Sequence, residues 1–311
     1  GLEVILYQDK STPIVAVSVM YHVGSKNENP EKTGFAHFFE HLLFEGSENI
    51  GRGEYSKYVE KAGGTLNANT SMDRTYYYEI LPSNQLELGL WLESERMLHA
   101  KVDKVGIETQ RQVVKEERRQ RIDNQPYGSL LEEVMKRAYK VHPYRWPVIG
   151  SMAHLDAAQE SDYVNFYKDF YVPNNAILSI AGDIDIEQTK AWVAKYFSDI
   201  PKSKKPIYRP NIVEPALSSE IRDTIYDNIQ LPAVIMAYRI PAAGTPDYYA
   251  VSMLGTLLSQ GESSRLHRAL VDDQQKAMFV GNFPLNTEDP GISIAFGICA
   301  LGADVQDVEN S

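Results

Sequence analysis

His37 and His41 stand four residues apart, with Glu40 between them. On a helix that spacing puts both imidazoles on one face, where they can grip a single metal ion. Glu40, three residues after the first histidine, borders the same face. The order H-x-x-E-H is the reverse of H-E-x-x-H, in which two histidines bind zinc and a carboxylate off the metal works on an activated water. Two surface histidines beside an unrelated glutamate are the plainer explanation. The local sequence argues against it, because Thr33 to Phe44 is crowded with apolar side chains and reads as a largely buried helix. Three ionisable groups in such a helix are costly unless a metal or partners satisfy them.

A catalytic zinc takes a third protein ligand and keeps one position open. The best source is the run from Val113 to Arg121, which reads as a helix. Taken alone, that run is a solvated charged face with Glu–Arg pairs at helical spacing. Its Glu117 follows His41 by 76 residues. With that spacing the chain resembles the pitrilysin-type metallopeptidases, the inverzincins, and among them the processing-peptidase branch with its bacterial relatives. The resemblance is carried by His37-Phe38-Phe39-Glu40-His41 and by Val113-Val114-Lys115-Glu116-Glu117. It extends to the segment from Gly63-Gly64 through Asn67-Ala68-Asn69-Thr70-Ser71, and to Pro173-Asn174-Asn175-Ala176 followed by Gly182-Asp183.

The resemblance implies that His37, His41 and Glu117 hold Zn2+ and that Glu40 is the general base of peptide-bond hydrolysis. One departure touches the site. Seven residues before the ligand, where the family often has a second glutamate, this chain has Gln110. A glutamine there can hydrogen-bond but brings no charge, which implies slightly looser zinc.

Asn67 and Ala68 are implied to bind substrate, as an edge strand whose backbone pairs with an extended peptide. From the residues alone, Gly63, Gly64 and Asn67 read equally well as turn formers. Phe38 is a candidate lining for a side-chain pocket, as is Phe39, with core packing the alternative for either. In the second half, Arg265 within Gly261-Glu262-Ser263-Ser264-Arg265-Leu266 matches a substrate-contacting arginine of the family. The companion tyrosine falls near Met278 or Phe279, and neither a thioether nor a phenyl ring replaces an oxyanion donor. In the processing-peptidase branch the zinc and the arginine–tyrosine pair can sit on different subunits. The expectation is therefore a zinc endopeptidase acting on peptides or short unfolded polypeptides. It would be the zinc-bearing subunit of a two-subunit chamber, a homodimer or a heterodimer with an arginine/tyrosine-bearing partner. The alternative is a non-catalytic structural subunit, a role in which relatives typically lose the motif that is complete here.

These groups need elements to hold them. Ile14 to Tyr21 reads as a strand and leads through a polar loop into the histidine helix. A short helix over 54–62 stops at Gly63-Gly64. Tyr76 to Leu81 reads as a strand, and Gln85 to Leu98 as a helix with Leu86, Leu90 and Met97 on an apolar face. A long helix from about Val105 to Arg121 carries Glu117. Four prolines between Pro201 and Pro215 mark a linker. Beyond it, a strand at Leu231–Arg239 and a helix at Tyr248–Leu258 echo the strand–loop–helix order of 14–44. The fold expected is α+β, with duplicated halves, each a mostly antiparallel sheet packed with helices, as the resemblance implies. Residues 1–200 would be the zinc-bearing domain, 201–215 the linker, and 216–311 the start of a related, incomplete domain within a longer protein.

Composition narrows the function. A net charge of −11 argues against nucleic-acid binding. No apolar run is long enough to span a bilayer. The one cysteine, Cys299, lies in an apolar strand-like run and reads as a buried, inert thiol. By analogy with bacterial relatives a periplasmic or envelope setting is favoured, with the cytoplasm open.

Overall fold

The computed structural model describes residues 1–311, which divide into two compact units. The first comprises Gly1–Arg121 and Val141–Glu214, and the second Ile122–Lys140 and Pro215–Ser311. Residues 122–140, placed by the sequence in the first domain, belong with the second.

The first unit contains strands β1 (Glu3–Gln8), β2 (Ile14–Tyr21), β3 (Thr65–Thr70), β4 (Thr75–Pro82) and β5 (Ala176–Gly182). Its helices are α1 (Phe35–Leu42), α2 (Tyr55–Lys61), α3 (Leu86–Leu98) and α4 (Lys104–Arg118). To the second unit belongs α5 (Leu130–Ala138), after which α6 (Met152–Ala157), α7 (Glu160–Phe170) and α8 (Ile186–Phe197) return to the first. The five strands form one sheet in the order β1-β5-β2-β4-β3. Only β1 and β5 run parallel; every other pair is antiparallel.

Alternation builds the core of this sheet. Val15, Val17, Val19 and Tyr21 of β2 are fully buried. Register sets Val19 between Leu178 of β5 and Tyr77 of β4, and Val17 between Ile180 and Glu79. Glu79 is the polar exception in these rows and is fully buried. The Tyr55 hydroxyl donates to it at 2.8 Å. Below it lies Arg96, 2% exposed, bonded to Glu93 and lying over the rings of Phe44, Tyr55 and Tyr77 at 4.3–4.7 Å. Burial and the charge of Glu93 push the Glu79 carboxyl well up, against the pull of Arg96 and the Tyr55 hydroxyl.

The proline-rich stretch is a strap rather than a free linker. The Ser203 N–H donates to Asn174, the Tyr208 carbonyl accepts from Asn27, and Arg209 donates to His22 and Asn175. Glu214 accepts the N–H groups of Val141 and His142.

The second unit holds β6 (Ala233–Arg239), α9 (Pro246–Ser259), β7 (Ala277–Pro284), β8 (Ile292–Cys299) and α10 (Val305–Glu309). Its three strands form an antiparallel sheet in the order β6-β8-β7, and α9 packs on β7. Residues 122–140 are tied to it by side-chain to backbone bonds. Tyr127 donates to the Leu231 carbonyl, Tyr139 to that of Pro290, and Arg239 to that of Ala138. Cys299 is buried at the end of β8. No helix is long and apolar enough to cross a membrane.

Candidate metal centre

Helix α1 is held by its apolar positions and by its N-terminus. Phe35 and Phe38 pack on the ring of Tyr163 in α7 at 4.6 and 4.7 Å, and Phe39 packs against Phe166 and Tyr171. Each such ring contributes about 1.5–3 kcal/mol by burial. Gly34, the N-cap residue, has φ +95°, and a Cβ there would lie 2.8 Å from the Ile149 carbonyl oxygen. Glycine is required on both counts. In place of an N-cap side chain, buried Glu28 accepts the N–H groups of Gly34 and Ala36, each at 2.8 Å. Burial raises its carboxyl to about 8, against the opposing pull of these donors. From the sheet, the Tyr77 hydroxyl donates to the Phe39 carbonyl at 2.8 Å.

This packing corrects one expectation. Phe38 and Phe39 are both fully buried, so Phe38 lines no pocket for substrate. The apolar side of α1 faces the core, and the aromatic pair that follows His37 falls on that side.

The opposite side presents the histidines to α4. Glu117 Oε2 lies 3.4 Å from His37 Nε2 and 3.1 Å from His41 Nε2. Donor atoms of the three residues all lie within 4.8 Å of one another. Two ligands bound at about 2.0–2.1 Å to a tetrahedral zinc stand about 3.3 Å apart, so the glutamate–imidazole spacings suit zinc. Buried His41 Nε2 and Glu117 Oε2 make no directed hydrogen bond in spite of their closeness. Unsatisfied buried polar atoms converging on one point are what a divalent cation would satisfy. The donor set, two imidazoles and a carboxylate, fits zinc. The imidazoles of His37 and His41 hold the Glu117 carboxyl well below the usual range, against burial, which raises it. Its other oxygen accepts from Arg121 at 2.6 Å.

Glu40 stands outside that donor set. Its Oε2 accepts the hydroxyl of Thr70, at the end of β3, at 2.6 Å. A carboxylate beside those converging donors but not among them suits a proton-handling role.

Asn67 and Ala68 lie on β3, the edge strand of the sheet, and Asn67 Oδ1 accepts the Ala68 N–H at 2.8 Å. Arg265 is exposed in the second unit, just ahead of the π-helical segment His267–Asp273. Met278 and Phe279 are exposed on β7. Gln110 donates to Glu45 at 2.5 Å, not to His37, His41 or Glu117. Sequence reasoning missed Thr70 and Glu45. Thr70 lies inside a segment that attracted notice, but nothing local ties it to a residue 30 positions earlier.

The model of the insulinase-type peptidase family M16 matches residues 3–151, and that of the peptidase M16 inactive domain matches residues 160–311. The zinc protease PqqE of Helicobacter pylori is 34% identical over 302 residues, covering 96% of this chain and 68% of that protein. The chain belongs to the peptidase M16 family. A Mycobacterium leprae protein named an uncharacterized zinc protease is 28% identical over 99% of this chain and 70% of its own length. A crystal structure of a protease from Helicobacter pylori superposes with a TM-score of 0.93 at 31% identity, over 100% of this chain and 75% of that one. The first half of the periplasmic protease PqqL of Escherichia coli shares the fold, with a TM-score of 0.73 at 22% identity, over 96% of this chain and 66% of that one. The mixed α/β architecture is that of M16 peptidase halves.

Proposed function

We propose that this chain is a zinc-dependent endopeptidase of the M16 family that hydrolyses extended peptides. The observation that carries the reading is the convergence of His37, His41 and Glu117 beside a carboxylate, Glu40, that stays off the set. The three residues would hold Zn2+, which when bound activates water and polarises a carbonyl. Glu40 would take the proton from the attacking water and deliver it to the departing amine nitrogen. Thr70 fixes which way that carboxylate faces.

Substrate would enter as an extended strand along β3. Its edge position supports backbone pairing, with loose sequence preference as the consequence. Pairing at the Ala68 N–H requires the Asn67 side chain to yield the bond it now makes. Neither Met278 nor Phe279 offers a hydroxyl for a developing oxyanion. That lack supports a role as the zinc-bearing member of a two-subunit assembly, with an arginine/tyrosine-bearing partner supplying the donor.

The test is cleavage of a quenched, unstructured peptide mixture by the purified chain, alone and with candidate partners, with Glu40→Gln as control. Zinc-dependent cleavage lost in Glu40→Gln supports the reading. Efficient cleavage by the chain alone removes the need for a partner. Cleavage by Glu40→Gln at the wild-type rate overturns the assignment of the base.

A further inference from the structure

We infer that Glu45, Gln110, Arg52 and Asp103 form a clasp that sets the register of α1 against α4, and thereby the distance of Glu117 from the two histidines. The inference rests on the zinc reading above and gives positioning roles to residues outside the H-x-x-E-H motif and its third donor.

Glu45 lies four residues beyond His41, just past the end of α1, and is 8% exposed. Both of its carboxylate oxygens are occupied. Oε1 accepts from Gln110 Nε2 at 2.5 Å, and Oε2 from Arg52 Nη1 at 2.6 Å. Arg52 Nη2 in turn donates to both oxygens of Asp103 at 3.0 Å. Asp103 is the N-cap of α4 and accepts the Gly106 N–H at 2.8 Å. The bonds therefore run from the end of the histidine helix to two points on the glutamate helix, its N-terminus and Gln110.

Geometry carries the effect to the ligand. Gln110 and Glu117 are seven residues apart, two turns of one helix, and lie on nearly the same face. Glu45 is similarly close to His41. A slide or rotation of either helix must break the Gln110–Glu45 bond before Glu117 can leave the histidines. Gly106 lets the helices approach, since a Cβ there would lie 2.8 Å from Arg52 Nη1 and 3.2 Å from Leu42 Cδ1. The amide of Gln110 has a positive reason to be there. A carboxylate at that position would face the buried carboxylate of Glu45, whereas an amide donates to it.

The test compares zinc affinity, by chelator competition, in wild type, Gln110→Leu and Gln112→Leu. Gln112 is the control: it is exposed on the same helix and its amide donates to Glu108 at 2.9 Å. Gln110→Leu is expected to bind zinc about 10-fold more weakly, the low end of the effect of losing a group bonded directly to a ligand, and to change the absorption bands of the cobalt-substituted protein. Gln112→Leu is expected to match wild type. Should Gln110→Leu not fold, Gln110→Asn retracts the amide by one methylene and is expected to weaken zinc in the same direction. Wild-type affinity and an unchanged cobalt spectrum in a folded Gln110 variant overturn the clasp, even if the metal-free protein melts earlier. Failure of the wild type itself to bind zinc overturns the functional reading and the clasp together.

Discussion

Thr70 and Glu40 are joined by a 2.6 Å hydrogen bond from hydroxyl to carboxylate, linking the edge strand β3 to the motif helix α1. The strand proposed to receive substrate therefore also orients the proposed base. Hydrogen bonds to charged groups contribute about 1.5–3 kcal/mol. Thr70→Val should lower peptide cleavage about 10–100-fold with zinc content unchanged, and Thr70→Ser should restore most of it. Equal activity in Thr70→Val and wild type would show the bond to be incidental.

Glu40→Gln should keep zinc, because Glu40 is not among the converging donors. Its cleavage rate should drop by about 10²–10⁴, the usual worth of positioned proton transfer. Metal analysis of the purified variant separates this result from simple loss of the ion.

His41→Ala should lose both zinc and cleavage, since it removes one of the three proposed ligands. Stability offers an independent check. A ligand at a hundred times its Kd stabilises by about 2.7 kcal/mol, so added zinc should raise the melting temperature of wild type and leave His41→Ala unmoved. A zinc-dependent shift in His41→Ala would place the ion elsewhere.

Arg96→Leu should destabilise the first unit by about 3–5 kcal/mol, because it strands Glu93 as an uncompensated buried charge. Adding Glu93→Gln should recover part of that loss. Denaturant midpoints of the two variants decide the matter, and a single variant as stable as wild type would refute the account of this cluster.

Phe38→Ala should cost about 3–5 kcal/mol through the cavity it leaves against Tyr163. The milder Phe38→Leu should leave the sequence preference of cleavage unaltered. A changed preference would return Phe38 to the substrate pocket.

The helices bearing His37, His41 and Glu117 could be read from the chain because their signals are local. The spacing of His37 and His41, and the apolar residues around them, require neighbours only a turn away. Leu86, Leu90 and Met97 face the core for the same reason. What the chain hides is tertiary. Gln110 suggests a supporting bond, but its partner Glu45 is 65 residues away and beyond the end of its helix. Prolines 201–215 look like a linker, because the Asn27, Asn174 and Asn175 that hold the strap are distant in sequence. A boundary drawn along the chain also cannot show that residues 122–140 fold with the residues after 215. The helix of Glu117 ends sooner than its pattern suggests, and continues through Arg119–Asp123 as a π-helical segment.

An open strand edge is a hazard in any protein, because it offers unpaired backbone groups to whatever extended chain drifts past, including a second copy of itself. The bond from the Ala68 N–H to Asn67 closes part of β3 to such casual pairing. A segment pairing there must displace the Asn67 amide oxygen from that donor. The same side chain that would admit substrate thus defends the fold against self-association, and an Asn67→Ala chain should be the more prone of the two to aggregate.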